Sequence, residues 1–246
     1  MINQHQKPLV VLGSSSSEVF DYIFGDHPMY YPYWASGWSA RGLRNAVAQK
    51  YIETILRPIP ADANIFLNFG NTDVIFNARH VAVNRGYYDF SKLLAEAESG
   101  ISECVDLLQH IGFKNIICCF TAPPASLPQM YWRRFGPGRQ LPDKVLGMMY
   151  KDFADTISGI HKSINYIDLL SKGAPGGYIL KEKYTRTEPN HHPDYIKTQQ
   201  IILSGLTNIP GILGVRKPLL SKMYAHQDHN ITDLIKRGCP RPRTCV

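Results

Sequence analysis

Long apolar runs are missing from this 246-residue chain. No stretch nears the roughly 18 consecutive apolar residues that a membrane span requires. The opening residues, Met1-Ile2-Asn3-Gln4-His5-Gln6-Lys7-Pro8, are polar and lack the apolar centre of a secretory leader. Cysteine is sparse: Cys104, Cys118, Cys119, Cys239 and Cys245 are all there is. An odd total without a leader argues for a reducing compartment, so the expectation is a soluble, cytoplasmic protein. No Gly-Lys-Ser/Thr follows the glycine-rich turn near the start, and no His-Glu-x-x-His occurs, so neither metal nor cofactor is expected. Acidic residues are outnumbered, 20 against 27 basic, giving a net charge of +7 and a pI near 9.1. The excess is spread along the chain, apart from a cluster in residues 236–246 that reads as a solvated tail. No aromatic-plus-basic pattern of a nucleic-acid module accompanies it, so no nucleic-acid partner is expected. Hydrophobic residues at 44% and a length suited to one large α/β domain are enough for a sizeable core.

The most informative segment that is present is Leu9-Val10-Val11-Leu12-Gly13-Ser14-Ser15-Ser16-Ser17. Four apolar residues ending in glycine read as a buried strand, and the serines read as a tight turn capping a helix. Side chains there sit at the carboxyl end of a strand, where open α/β sheets bind ligands and helix amides favour negative charge. A serine so placed is a candidate nucleophile if a base reaches it. Glu188-Pro189-Asn190-His191-His192 offers one. Two other uses of the loop stay open: cradling a phosphate, or simply capping the helix.

Further apolar segments recur at regular spacing. Strands are expected at 30–35, 65–69, 115–120 and 164–168, with helices over 40–56, 88–111, 141–160 and 192–206. Cys118 and Cys119 fall in the fourth of the five strands as core residues. The proline- and arginine-rich stretch 123–142 reads as an ordered surface loop or lid. Strand–helix alternation of this kind argues for a parallel, doubly wound sheet. That topology gathers the polar exits at 13–17, 36–39, 70–73 and 121–124 on one rim and brings Ser15 toward His191. Residues 1–206 form the expected domain, and 207–246 an extension with a basic, cysteine-containing end.

With its loops in this order, the chain resembles the SGNH/GDSL hydrolases, serine esterases and acyl-transfer enzymes with a three-layer, flavodoxin-like fold. Gly13-Ser14-Ser15-Ser16 stands where the family has Gly-Asp-Ser-Leu, so the resemblance implies Ser15 as nucleophile. Ser36-Gly37-Trp38-Ser39 resembles the second block, whose glycine amide serves the oxyanion hole, and Gly37 matches it. Gly70-Asn71-Thr72-Asp73 resembles the third block, usually Gly-x-Asn-Asp. Thr72 takes the slot of the oxyanion asparagine, with Asn71 one position early. Glu188-x-x-His191 resembles the closing Asp-x-x-His.

The resemblance therefore implies a triad of Ser15, His191 and Glu188, with oxyanion donors from Ser15, Gly37, Asn71 and Thr72. The imidazole would take the serine proton, and the carboxylate would fix its tautomer. Trp38, Asp73, Arg79 and His80 are candidates for substrate binding. Their plainer roles are packing for Trp38, bonding of loop amides for Asp73, and surface positions for Arg79 and His80. The expected function is ester hydrolysis or O-acyl transfer, with a small-molecule or glycan ester such as a carbohydrate O-acetyl group as substrate. The competing expectation, motivated by Ser14, Thr72 and Glu188, is a protein of this fold that binds a glycan or nucleotide-sugar without the chemistry.

Overall fold

A computed structural model describes residues 6–25, 27–86, 89–224 and 230–238. Its sheet has five parallel strands in the order β2-β1-β3-β4-β5. These are β1 (Leu9–Gly13), β2 (Tyr30–Trp34), β3 (Asn64–Asn68), β4 (Asn115–Phe120) and β5 (Ser163–Asn165). The helices are α1 (Val19–Phe24), α2 (Ala46–Leu56), α3 (Ala78–Arg85), α4 (Phe90–Ile111), α5 (Gln129–Trp132), α6 (Asp143–Ile160), α7 (Ile167–Leu170), α8 (Tyr195–Leu206) and α9 (Ile231–Arg237). The order 2-1-3-4-5 is the flavodoxin-like arrangement, and the expected α/β class holds.

Alternation of side chains along each strand builds two cores. Val10 and Leu12 of β1, Ile65 and Leu67 of β3, and Cys118 of β4 face a cluster that includes Ile52, Ile101 and Phe153 from α2, α4 and α6. Leu9, Val11, Phe66, Ile117 and Cys119 face the opposite cluster, with Phe20 of α1 and Tyr195 and Ile202 of α8. The result is three layers. All of β1 is buried, which is why its sequence reads as a continuous apolar run rather than an alternating one. The order of strand addition reverses at β1: the first connection leads to β2 on one side, and the next strand, β3, lies on the other. A crevice at the carboxyl end of β1 follows from that switch.

Several boundaries moved for local reasons. The Asn45 side chain accepts from Val47 N at 2.8 Å and starts α2 there, so the helix expected from 40 becomes a short 3-10 turn followed by α2. Asn165 accepts from Ile167 N at 2.8 Å and ends β5 early, converting the expected tail of that strand into α7. Asp194 caps α8 through Ile196 N and Lys197 N, so that helix begins at Tyr195. After β3 the chain makes a wide π-helical turn, Thr72–Asn77, and enters α3, neither of which periodicity indicated. The stretch 123–142 is ordered as expected. Gln140 Oε1 accepts from Trp132 Nε1 and Leu127 N, and Trp132 is fully buried.

Beyond α8 the chain returns over the body. Ile209 and Leu213 are buried in the α1/α8 core, and Tyr224 stacks on Tyr22 with ring centroids 4.5 Å apart. Asn230 then pairs with Ser36 beyond β2, and α9 inserts Leu234 into the other core. Cys239 and Cys245 lie outside the described residues. Cys104, Cys118 and Cys119 are free and buried, and burial pushes their thiols up, to about 12 for Cys118. Among the described residues no helix is long and apolar enough to cross a membrane.

Candidate active site

The turn after β1 is built by close packing. Gly13 has no room for a side chain: a Cβ there would collide with Ser17 Oγ and lie 2.7 Å from the Asn68 carbonyl oxygen. Ser14 is extended, with its amide on the Asn68 carbonyl at 3.1 Å, and a 3-10 turn, Ser15–Glu18, leads into α1. The Ser14 and Ser16 hydroxyls bond to each other at 3.0 Å, and the Asn68 side-chain amide lies 3.0–3.3 Å from the hydroxyls of Ser16, Ser17 and Thr121. These contacts hold Ser15 at the head of the turn, 8% exposed.

Ser15 Oγ lies 2.8 Å from His192 Nε2. The topology therefore does bring the two distant segments together, but the imidazole that arrives is one residue beyond the one that motif spacing selects. The physical reason lies in the loop before α8. Asn190 Oδ1 accepts from His192 N at 2.9 Å, closing an Asx turn. Beyond that turn His192 bonds to Ser15, whereas His191 Nδ1 meets Tyr131 Oη at 2.5 Å. The two rings still touch, with centroids 3.8 Å apart. The Tyr195 hydroxyl donates to the Ser15 carbonyl at 3.3 Å, tying the start of α8 to the serine turn.

A narrow cleft opens over this pair, lined by Ser14, Ser15, Ser16, Asn71, Thr72, Ile75, Phe76, His191 and His192 among others. A water-sized occupant has about 10 Å³ in it, room for a single small group. Asn71 is 9% exposed, and its Oδ1 is buried with no hydrogen-bond partner. A buried unsatisfied acceptor costs about 1–3 kcal/mol and is worth explaining by function. Asn71 and Thr72, the candidates from the third block, both line this cleft.

Other expected site residues lie elsewhere. Glu188 is exposed on the loop, with no hydrogen bond or ion pair among the described residues, so it does not serve as the carboxylate of the pair. Gly37, with φ +73°, is exposed and lines a separate groove with Ile231 and Ile235 of α9. Its loop is occupied by Asn230 and Ile231, whose N–H donates to the Ser36 carbonyl at 3.3 Å. Trp38 is buried against Phe69 and Tyr51, a packing role. Asp73 is fully buried and accepts from Ala40 N at 2.7 Å and Arg41 N at 3.2 Å, the plainer of its two expected roles. Burial raises its carboxyl to about 6 against the pull of those amides. The Arg79 guanidinium bonds to the carbonyls of Phe135, Gly136, Pro137 and Gly138 and lies over the Trp132 ring, fastening the 123–142 segment instead of meeting a ligand. His80 is exposed beside Asn84.

Sequence reasoning passed over His192 and Tyr131. The signal for His192 was available in Asn190: an asparagine two residues ahead of a histidine, followed by Pro193 and a capping Asp194, forms a turn that sets which ring faces inward.

No family description matches the sequence, and neither does any curated protein. Among solved structures, the chain is similar to a catalytic mutant of Axe2, an acetylxylan esterase from Geobacillus stearothermophilus, at 15% identity and a TM-score of 0.40, over 88% of this chain and 100% of that one. A second Axe2 variant, described as an acetyl-xylooligosaccharide esterase from a Geobacillus source, gives 15% identity and a TM-score of 0.39 over the same shares. A further catalytic mutant of Axe2 gives 12% and 0.37, again over 88% of this chain and 100% of that one. What the site does is read from this chain's own residues.

Proposed function

We propose that the protein is a serine ester hydrolase or O-acyltransferase in which Ser15 is the nucleophile and His192 its general base. The observation that carries this reading is the 2.8 Å contact between Ser15 Oγ and His192 Nε2 in a cleft at the carboxyl end of β1. A serine hydroxyl is a weak nucleophile at neutral pH until an imidazole within hydrogen-bond reach takes its proton. His192 would take that proton as Ser15 Oγ bonds to the acyl carbon, then return it to the departing alcohol oxygen. The oxyanion formed in between calls on donors at the cleft: the Ser15 amide at the head of the turn and the Asn71 and Thr72 side chains. In this reading the pair works without Glu188 and without the Gly37 amide, two departures from the SGNH/GDSL pattern in addition to Ser14 and Thr72.

The narrow cleft leaves no room for a bulky acyl group, which favours a small one such as acetyl. Phe76 on its wall and the neighbouring exposed Phe135 provide apolar faces of the kind sugars stack on, so an O-acetylated carbohydrate is the substrate this reading favours. Purified protein should release p-nitrophenol from p-nitrophenyl acetate, and Ser15→Ala should lower that rate by about 1,000-fold or more. Equal rates in both proteins would remove Ser15 as nucleophile. The exposed Glu188 and displaced Gly37 favour one alternative, a glycan-binding protein of the same fold without turnover. Failure of a fluorophosphonate to label Ser15, together with saturable binding of an oligosaccharide, would select it.

A further inference from the structure

The 123–142 segment carries positive charge that the fold does not neutralise. From residue 107 to residue 142 the sequence has no aspartate or glutamate, while Arg133, Arg134 and Arg139 fall close together. All three are exposed, and none forms an ion pair among the described residues. The next acid along the chain, Asp143, accepts from Gln140 Nε2 at 2.7 Å instead. The residues lining the Ser15 cleft include no carboxylate either.

Contacts on the page fix where this charge sits. The Arg79 guanidinium, in a residue 5% exposed, bonds to the successive carbonyls of Phe135, Gly136, Pro137 and Gly138 at 2.6–3.3 Å. A stretch with glycines at positive φ is thereby held to one path, so little order remains to be gained on binding. The Arg134 guanidinium carbon lies 3.9 Å from the centre of the Tyr131 ring and 5.0 Å from that of Phe135. Phe135 in turn packs on Phe76, with centroids 5.2 Å apart, and Phe76 lines the cleft. The cationic segment therefore adjoins the cleft through one aromatic contact. Uncompensated charge fixed beside a reaction site selects ligands of the opposite sign. Guanidinium forks match carboxylates, and an exposed aromatic ring beside them suits a sugar face.

We propose that the alcohol half of the ester is an acidic glycan, a sugar chain bearing carboxylates, which Arg133, Arg134 and Arg139 hold while its O-acetyl group enters the Ser15 cleft. The proposal rests on the serine esterase reading and names the substrate class of that site. A neutral acetylated sugar leaves the three arginines in water and gains nothing from them. Because these residues bind and take no part in the chemistry, their effect belongs in KM more than in kcat. A lipid surface is the other anionic partner to weigh. Within the segment only Met130 and Phe135 expose a large apolar side chain, and one side of Phe135 already meets Phe76, which is little apolar area for entering a bilayer.

Partially O-acetylated polygalacturonate, compared with the same polymer after methyl esterification of its carboxyls, separates charge from sugar identity. Wild-type protein should release acetate from the charged polymer with kcat/KM about 30-fold higher, and raising NaCl from about 20 mM to about 500 mM should remove most of that preference. Arg133→Glu/Arg139→Glu should lower the ratio of kcat/KM on the charged polymer to that on p-nitrophenyl acetate about 20-fold, whereas Arg133→Lys/Arg139→Lys, which keeps the charge, should hold it within about threefold. Oligogalacturonate without acetyl groups should bind Ser15→Ala protein with the same dependence on charge. Equal kcat/KM, or equal affinity, for the charged and esterified forms overturns the proposal and leaves the esterase reading in place. Tighter binding to phosphatidylglycerol vesicles than to oligogalacturonate, lost in the double glutamate variant, overturns it in favour of a lipid surface. Charge-selective binding by wild-type protein that neither turns over an acetyl ester nor labels at Ser15 overturns the esterase reading and leaves the acidic glycan as a ligand.

Discussion

The exits of β1 and β2 are adjacent on the same rim of the sheet, and both are rich in glycine and serine. At the first, the backbone is set by local contacts and the neighbouring β3, Gly13 against Ser17, Ser14 on the Asn68 carbonyl and the hydroxyls around the Asn68 amide, with His192 and Tyr195 arriving on Ser15 from the start of α8. The result is a rigid turn that presents Ser15 to a cleft. At the second, the loop is taken over from a distance. Asn230 pairs with Ser36, α9 lines one groove with Gly37 and Trp38, and Asp73 reaches across to the amides of Ala40 and Arg41. Like composition on the same rim thus yields a tight turn facing a cleft in one case and a docking point for α9 in the other. Topology fixes where a loop emerges, and long-range partners decide what it does there.

The largest test of that contrast is Gly13→Ala. The new methyl meets backbone and a hydroxyl already committed to bonding, so a loss of about 3 kcal/mol in denaturant unfolding is expected, with Ser15 labelling lost alongside. A tolerated alanine would mean the first turn is not tightly determined. Next is Asp73, which anchors the second exit. Its carboxyl is raised from 3.8 to about 6, so the folded state binds a proton more readily than the unfolded chain does. Its contribution to stability is therefore fully present below pH about 4 and is lost as pH rises through about 6. Wild type should gain on the order of 2–3 kcal/mol relative to Asp73→Asn between pH 7 and pH 4. A flat difference across that window would show that the two amides fully offset burial. The smallest effect belongs to Gly37→Ala, where a positive φ and a new Cβ only in ordinary contact with the Asn230 side chain predict a cost of about 1 kcal/mol with ester turnover unchanged. A loss of about 100-fold in turnover would put the Gly37 amide back at the oxyanion and erase the difference between the exits.

Much of the scaffold was legible because burial and periodicity act locally. The continuous apolar run at 9–12 marked a central strand, and the heptad-like spacing from Leu93 to Leu108 marked α4. Cys118 and Cys119 were readable as core because they sit in such a run. Short polar signals were harder. Asn45, Asn165 and Asp194 each stop or start an element with a single side-chain bond, and such bonds shift a boundary by several residues without altering periodicity. At the site, Ser15 followed from strand-exit logic, whereas the histidine did not. A shift of one residue between His191 and His192 is decided by the Asn190 turn and by Tyr131, 60 residues away. No spacing rule contains Tyr131. The same holds for Gly37, whose surroundings depend on a helix nearly 200 residues later in the chain.

The tightness of the space above Ser15 has a kinetic corollary. If an acetyl group is attached to that oxygen in the proposed reaction, it crowds a cleft with little room to spare, so the second reactant would have to follow the path the first alcohol left by. Under that reading, a hydroxyl compound held at the doorway would be placed to take the acyl group ahead of bulk water.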